Sequence, residues 1–403
     1  MHYKYLIVGG GIAGASAIEG IRAHDPDGTI LLLSRENHAP YKRPFLAADL
    51  WTRPGALDEL SVYDDSFYRE RDVQLMLRRD VVELRPDTRT VWDDRGTEVS
   101  YDRLLLATGC RARELDVEGA DRAEVRYFRS LEDYLALESR IQRLQHVLVI
   151  GGDHVAVELA VALRGRGLEG TFVYPQEHPL ASLLPRELGA CIADQCRYRG
   201  IETISNEAIV SFEDQGGLVM ARTRQGNFIT SQLALAAVGC DPQTDLAEAA
   251  GIEVGNGIEV DEYARTTDPN VYAAGDVAEF PHLALGRHMR VESWDHAVHH
   301  GRAAGANMAG ANRPYTHIPA FSAQFFDLAF QAVGETDPSF ETDSIWREEC
   351  REGVVFYLSE DVVRGVLLWN VARGVDWARQ AIREARPTTH AEREALAMAV
   401  VAG

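Results

Sequence analysis

Lysine is almost missing from this 403-residue chain: Lys4 and Lys42 are the only two, and arginine carries nearly all of the basic charge. That scarcity reads as a coding bias with no function attached. Basic charge is short overall, 41 Lys+Arg against 62 Asp+Glu, for a formal net charge of -21. Such a surface repels phosphate backbones, so a nucleic-acid partner is excluded unless a local basic patch overcomes the global field. Long apolar runs are also lacking. Leu233 to Val238 and Ala395 to Ala402 fall well below the roughly 18 to 20 residues of a membrane span, and no such span is expected. Met1-His2-Tyr3-Lys4 leads into Tyr5-Leu6-Ile7-Val8 without a basic leader or cleavage site, which makes a cytoplasmic location the expectation. Cysteine is sparse and scattered: Cys110, Cys191, Cys196, Cys240 and Cys350 form no CxxC pair and no zinc-like spacing, so structural disulfides are not expected. With 46% hydrophobic residues and 34 glycines the remainder is that of a globular protein, with two or three domains at roughly 150 residues each.

What is present starts at the N-terminus. Lys4 to Val8 reads as a strand, Gly9-Gly10-Gly11-Ile12-Ala13-Gly14 as a glycine turn, the stretch through about Ala23 as a helix, and Thr29 to Leu33 as a second strand. This is a βαβ unit with GxGxxG where a dinucleotide needs it. Gly9 makes the tight turn, Gly11 lets a pyrophosphate approach the backbone, and Gly14 brings helix against strand, while the helix N-terminus carries partial positive charge. Glu36, 27 residues beyond Gly9, can accept hydrogen bonds from a ribose, although Arg35 beside it leaves open which side chain faces the sugar.

The plan recurs near residue 147. His146 to Ile150 is a strand, Gly151-Gly152-Asp153-His154 opens a helix that carries Glu158, and Thr171 to Tyr174 is the next strand, with Glu177 26 residues beyond Gly151. The glycines differ: Asp153 stands where a pyrophosphate comes closest and Ala156 where the helix packs. A carboxylate facing a phosphate at about 5 Å and an effective dielectric near 20 repels it by roughly 3 kcal/mol, about a hundredfold in affinity. The turn is either a weakened dinucleotide site or a structural remnant. Leu104 to Gly109, through Ala107 and Thr108, and Leu233 to Gly239 are buried-strand runs ending in glycine, one in each half. A third, Val271 to Val277, places Gly275 and Asp276 at a strand end, where a carboxylate can hold a hydroxyl or cap a helix.

Together with Pro40 to Leu46, Ala107-Thr108-Gly109 and Ala274-Gly275-Asp276, the first turn resembles two-dinucleotide-domain flavoprotein reductases, which bind FAD and NAD(P)H. Within that group the chain is most similar to apoptosis-inducing factor and the ferredoxin and rubredoxin reductases, through Arg290-Val291-Glu292, Trp294 to Ala297, and Gly353 to Leu358 followed by Gly365 to Asn370. The resemblance implies an α/β fold with two Rossmann-like dinucleotide-binding domains, glutathione-reductase-like, plus a small α+β C-terminal domain. Its boundaries are 1–113 and 241–312 for a discontinuous FAD-binding domain, 114–240 for an NAD(P)-binding-like domain, and 313–403 for the C-terminal domain.

The same resemblance implies site roles. Gly9, Gly11, Ile12, Ala13, Gly14, Arg35 and Glu36 take the ADP half of FAD, Arg43 and Pro44 the flavin side, Ala107, Thr108 and Gly109 its edge, and Asp276 with Gly275 the ribityl chain. Arg129 is a further FAD contact. The helix after Asp276, or the segment Glu292-Ser293-Trp294, abuts the isoalloxazine. Gly151, Gly152 and Glu177 serve NAD(H), NADH being favoured because no arginine cluster follows Glu177. Glu158 matches an acidic residue beside flavin and nicotinamide, and His154 either lies against the flavin or is a turn residue.

The implied activity is electron transfer from NAD(P)H through FAD to a small iron-sulfur protein or quinone-like acceptor. The alternative is a flavoprotein with a degenerate nicotinamide site, acting as redox sensor or scaffold or reduced by another donor. The departures motivate that alternative: Ala48 replaces a lysine, Ser322 a platform tryptophan and Ser293 a histidine, beside Asp153 and Ala156. A homodimer is compatible with this reading. Dithiol chemistry is not, since no cysteine lies between Glu36 and Cys110, and Cys110 reads as a buried small residue. His296, His299 and His300 share a helical spacing that could hold a metal, but carboxylate and cysteine support nearby is thin, and no metal is assigned. Trp369 and Trp377 read as core, and Thr388 to Ala402 as an amphipathic helix.

Overall fold

The computed structural model describes residues 1–53 and 55–401, which form two compact units. The first comprises Met1–Lys42, Asp58–Arg111 and Asp241–Ala320, and the second Arg43–Leu57, Ala112–Cys240 and Phe321–Gly403. Ala402, the end of the expected tail helix, lies outside the described residues.

In the first unit, β1 (His2–Val8) is followed by α1 (Ile12–Arg22) and β2 (Ile30–Leu33). β1 pairs in parallel with β2 (Leu6 opposite Leu31) and with β3 (Glu98–Leu106; Leu6 opposite Leu104). A short parallel strand Val73–Met76 extends the β2 edge, and Thr90–Asp93 pairs antiparallel with β3. The strands are near-continuous apolar runs, as a sheet covered on both faces demands: Leu6, Ile7, Leu31, Leu32, Leu104 and Leu105 are all fully buried.

The second unit repeats the plan with β4 (His146–Ile150), α2 (His154–Gly165), β5 (Glu169–Val173) and β6 (Leu233–Ala236), where Leu148 lies opposite Thr171 on one side and Ala234 on the other. Ile201–Ile204 and Val125–Tyr127 complete a five-stranded parallel sheet.

The strand Val271–Ala273 returns the chain to the first unit, pairing in parallel with β3, Val271 opposite Leu104. The expected helix after Asp276 does not form. An antiparallel pair, Ala278–His282 with Arg287–Arg290, follows instead, and the helix, α3 (Trp294–Met308), begins only after Ser293, whose hydroxyl accepts from the His296 N–H as its N-cap. Pro281, paired with His288, and Gly286, at φ +66, flank the turn of that hairpin, and the capping hydroxyl sets the helix start. α3 lies along α1.

Within the second unit, the C-terminal segment carries five antiparallel strands in the order 320–325, 328–334, 362–369, 352–359, 341–348, so the expected Gly353–Asn370 hairpin is present. Trp369 is fully buried and stacks on Phe330, whereas Trp377 is only half-buried at the edge of Phe356. The helix His390–Val401 packs onto strands 352–359 and 341–348. None of the five cysteines forms a disulfide, and Cys110 is buried. No helix among the described residues is long and apolar enough to cross a membrane.

Candidate functional site

The first glycine turn is a cradle. Gly9 has φ +126, and a Cβ there would sit 2.0 Å from the Ala107 carbonyl oxygen, so neither its conformation nor its packing admits a side chain. At Gly11 an added Cβ would meet nothing within 4 Å. α1 has no side-chain cap at Gly11 and no acidic residue in its first turn, so its leading N–H groups are left to a ligand. Ile12 is partly exposed beside them, and Ala13 and Gly14 are buried. Glu36 follows β2, half-buried, and accepts from the Tyr41 hydroxyl at 2.7 Å, while Arg35 is exposed. Tyr41 thus orients the expected ribose acceptor, a partner that sequence spacing did not show.

Two further strand ends belong to the same unit. The Thr108 hydroxyl donates to the Gln243 carbonyl at 2.9 Å, and the Gln243 side chain returns a bond to the Thr108 carbonyl at 2.6 Å, fixing the segment Ala107-Thr108-Gly109. At Gly275 φ is +79, and the Gly275 N–H donates to His300 Nδ1 at 3.4 Å. The Asp276 carbonyl accepts from Arg290 Nη1 at 3.0 Å, and Arg290 also pairs with Glu292 at 2.6 Å. Asp276 is partly exposed and Gly275 buried, so the turn presents one carboxylate from a rigid backbone. Trp294, the first residue of α3, is half-buried.

The second turn has the same backbone and a different occupant. Gly151 has φ +133, and a Cβ there would lie 1.9 Å from the Ala237 carbonyl oxygen, the counterpart of Gly9 and Ala107. Beyond it, Asp153 Oδ1 accepts from the Ala156 N–H at 3.1 Å, capping α2. The carboxylate therefore takes part of the anion-binding capacity that a pyrophosphate uses at an uncapped helix. Gly152 lies beside Gln176. His154 opens α2 and meets Phe321 edge-on at a ring separation of 4.6 Å. Glu158 is partly buried one turn on. Burial, then the carboxylates of Asp153 and Asp49, push its carboxyl up to about 8. Asp49 opens the short helix Asp49–Thr52, directly after Ala48, and that helix packs against α2.

Other expected site residues lie in the second unit as well. Arg43 and exposed Pro44 start a single 3-10 turn, Arg43–Leu46, and Arg43 donates to the Arg129 carbonyl at 2.7 Å. Glu177 is exposed and ion-paired with Arg186, which opens α4 (Arg186–Tyr198), so one arginine stands where the sequence showed no cluster. Ser322 is exposed.

The three histidines of α3 do not converge. His296 and His300 are fully buried beside Phe280 and Tyr315, whereas half-buried His299 stacks on His317 at 3.6 Å and 11°. Helical spacing put all three on one face, but the packing of α3 along the sheet divides that face into a core side and a rim. Asp295 accepts from His317 Nε2 at 2.7 Å and from the Ala320 N–H at 2.9 Å. Imidazole lone pairs lie in the ring plane, so two rings stacked face to face do not direct them at a shared ion. The group is a hydrogen-bonded cross-link.

The model of the pyridine nucleotide-disulphide oxidoreductase family matches residues 3–301, which contain both glycine turns and the Gly275-Asp276 strand end. The chain belongs to that family. The C-terminal model of mitochondrion-associated apoptosis-inducing factor matches residues 347–384. A rubredoxin-NAD(+) reductase of Pseudomonas putida is 30% identical over 82% of this chain and 86% of its own length. Apoptosis-inducing factor 1 of Dictyostelium discoideum is 28% identical over 95% of this chain and 79% of its own. Among solved structures, a ferredoxin reductase from Rhodopseudomonas palustris superposes with a TM-score of 0.91 at 28% identity over 96% of both chains. As a pyridine nucleotide-disulphide oxidoreductase, the chain is an FAD-dependent oxidoreductase with two dinucleotide-binding modules, and its first turn fits the cofactor.

Proposed function

We propose that this protein is an FAD-containing reductase that takes electrons from NADH and delivers them to a small iron-sulfur protein. The observation that carries the reading is the uncapped N-terminus of α1 at Gly11, ringed by Gly9, Gly14, the oriented Glu36, and the fixed strand ends at Thr108 and Asp276. Bound there, FAD supplies hydride acceptance and single-electron release. The α1 dipole holds the pyrophosphate, Glu36 accepts from the ribose, and Asp276 holds the ribityl hydroxyls. By resemblance, Arg43, Pro44 and Arg129 stand on the flavin side, and Gly151, Gly152 and Glu177 serve the nicotinamide dinucleotide. The acceptor class is supported by the rubredoxin and ferredoxin reductases among the relatives, and by the 0.90 TM-score, at 26% identity, of a putidaredoxin reductase solved in covalent complex with putidaredoxin.

The Asp153 cap supports a second reading, in which the nicotinamide site is weak and the flavin is reduced by another donor or serves as a sensor. Anaerobic titration of the purified flavoprotein with NADH and NADPH, followed by flavin bleaching, separates the two. Rapid bleaching by NADH supports the reductase. A flavin left yellow by saturating NADH over hours, yet bleached by dithionite, overturns it in favour of the second reading.

A further inference from the structure

The core of the first unit contains two fully buried histidines for which electron transfer has no use. His296 and His300 lie with ring centroids 4.8 Å apart, His296 stacking on Phe280 at 4.9 Å and His300 on Tyr315 at 4.6 Å. His296 Nδ1 bonds the Tyr315 hydroxyl at 3.0 Å, and the Nε2 atoms of both rings are buried without a hydrogen-bond partner. His300 Nδ1 accepts the N–H of Gly275, the residue before Asp276. An acceptor nitrogen is unprotonated, so this bond exists only with a neutral ring. Gly275 is held at φ +79, with Ala13 of α1 2.8 Å from where its Cβ would be.

We propose that His300 is a positioning residue for the flavin: its neutral imidazole fixes the Gly275 amide, and hence the turn that presents Asp276, and uptake of a proton by the His300–His296 pair opens that turn and releases FAD. The proposal rests on the FAD reading of the first turn. A proton on His300 Nδ1 would set donor against donor at Gly275 and place a charge among Phe280, Tyr315 and His296. Among the described residues, the titratable groups that act on the pair are themselves histidines, His317 and His282, and only the Gly275 backbone favours a proton on His296. His282 accepts from the Leu285 N–H, the Asp295 carboxylate is engaged by His317 and Ala320 at the rim, and α1 contributes Glu19, which pairs with Arg302. Asp276, on the turn itself, is partly exposed. Burial holds His300 down to about 3, and burial and then the neighbouring His300 hold His296 well below its ordinary value. The sign follows: the closed turn binds no proton on these rings, whereas an opened turn binds one on each below about 6.5. Acid therefore favours the open state by up to about tenfold per pH unit for each ring.

The test measures FAD affinity of the apoprotein by flavin fluorescence quenching between pH 8 and pH 5, with circular dichroism to report folding. The wild type is expected to lose at least roughly tenfold in affinity below about pH 6.5. His300→Asn keeps an acceptor at the same distance from the backbone and cannot titrate, so it should bind FAD near wild-type strength at pH 8 and lose less at pH 5. His300→Leu leaves the buried Gly275 N–H unpaired and should bind roughly tenfold to a hundredfold more weakly already at pH 8. A wild-type affinity flat from pH 8 to pH 5, His300→Leu binding as tightly as wild type, or His300→Asn following the wild-type pH curve would each overturn the proposal. A folded apoprotein that binds no FAD at any pH would instead remove the FAD reading beneath it.

Discussion

The two glycine turns share a backbone and differ in what stands at the helix. Gly9 and Gly151 have φ +126 and +133 and are pinned against the carbonyls of Ala107 and Ala237 at almost the same distance. Past that point α1 starts uncapped on Gly11, whereas α2 starts on Asp153, whose carboxylate already accepts a leading N–H. The lesson is that one side chain divides a dinucleotide cradle from a self-capped helix without altering the strand–turn–helix geometry. Near Asp153 a second change acts in the same direction. Burial, then the carboxylates of Asp153 and Asp49, push the Glu158 carboxyl up, so acidic groups accumulate beside the second turn.

The comparison breaks most visibly at its shared residue. Gly9→Val should abolish FAD binding, because the branched side chain cannot adopt φ +126 or fit 2.0 Å from a carbonyl oxygen; the protein should purify colourless. Next, the turns can be exchanged. Gly11→Asp should weaken FAD roughly a hundredfold, and Asp153→Gly should tighten NADH by up to the same factor. The latter should cost only a few tenths of a kcal/mol in stability, since glycine is itself a tolerable N-cap. Equilibrium titration and thermal melts would measure both.

A smaller effect is expected at Glu158. Its folded pKa of about 8 lies above the ordinary carboxyl value, so the native state holds a proton that the unfolded chain has lost. Stability should fall as pH rises from about 4.5 to 8, and NADH should bind more weakly above pH 8 than below it. Glu158→Gln should remove both dependences, as read by melting temperature and dissociation constant across pH 6 to 9. Ala48→Lys should shift them to lower pH. Smallest of all, Arg186→Ala removes an exposed ion pair with Glu177 and should change stability by less than about 1 kcal/mol.

Much of this was legible in the sequence. A strand, GxGxxG and a helix within one short stretch have few other uses, and buried parallel strands announce themselves as apolar runs. Asp153 was legible as a departure because it interrupts a motif. Non-local contacts were not. Nothing in the spacing of Tyr41 and Glu36, Arg186 and Glu177, or Asp49 and Glu158 says that they meet, since each pair depends on loop paths. The helix expected after Asp276 became a hairpin because Pro281 and Gly286 favour a turn there, and the actual start of α3 was set by the Ser293 hydroxyl. His296, His299 and His300 shared a helical face on paper, and only the packing of α3 showed which rings enter the core.

The most direct test of the account titrates NADH into the oxidised wild-type flavoprotein and its Asp153→Gly variant under identical conditions. The variant should bind NADH more tightly, by tenfold or more and up to about a hundredfold, with FAD content unchanged. Equal affinities would contradict it, because the Asp153 carboxylate would then not be what separates the second turn from the first.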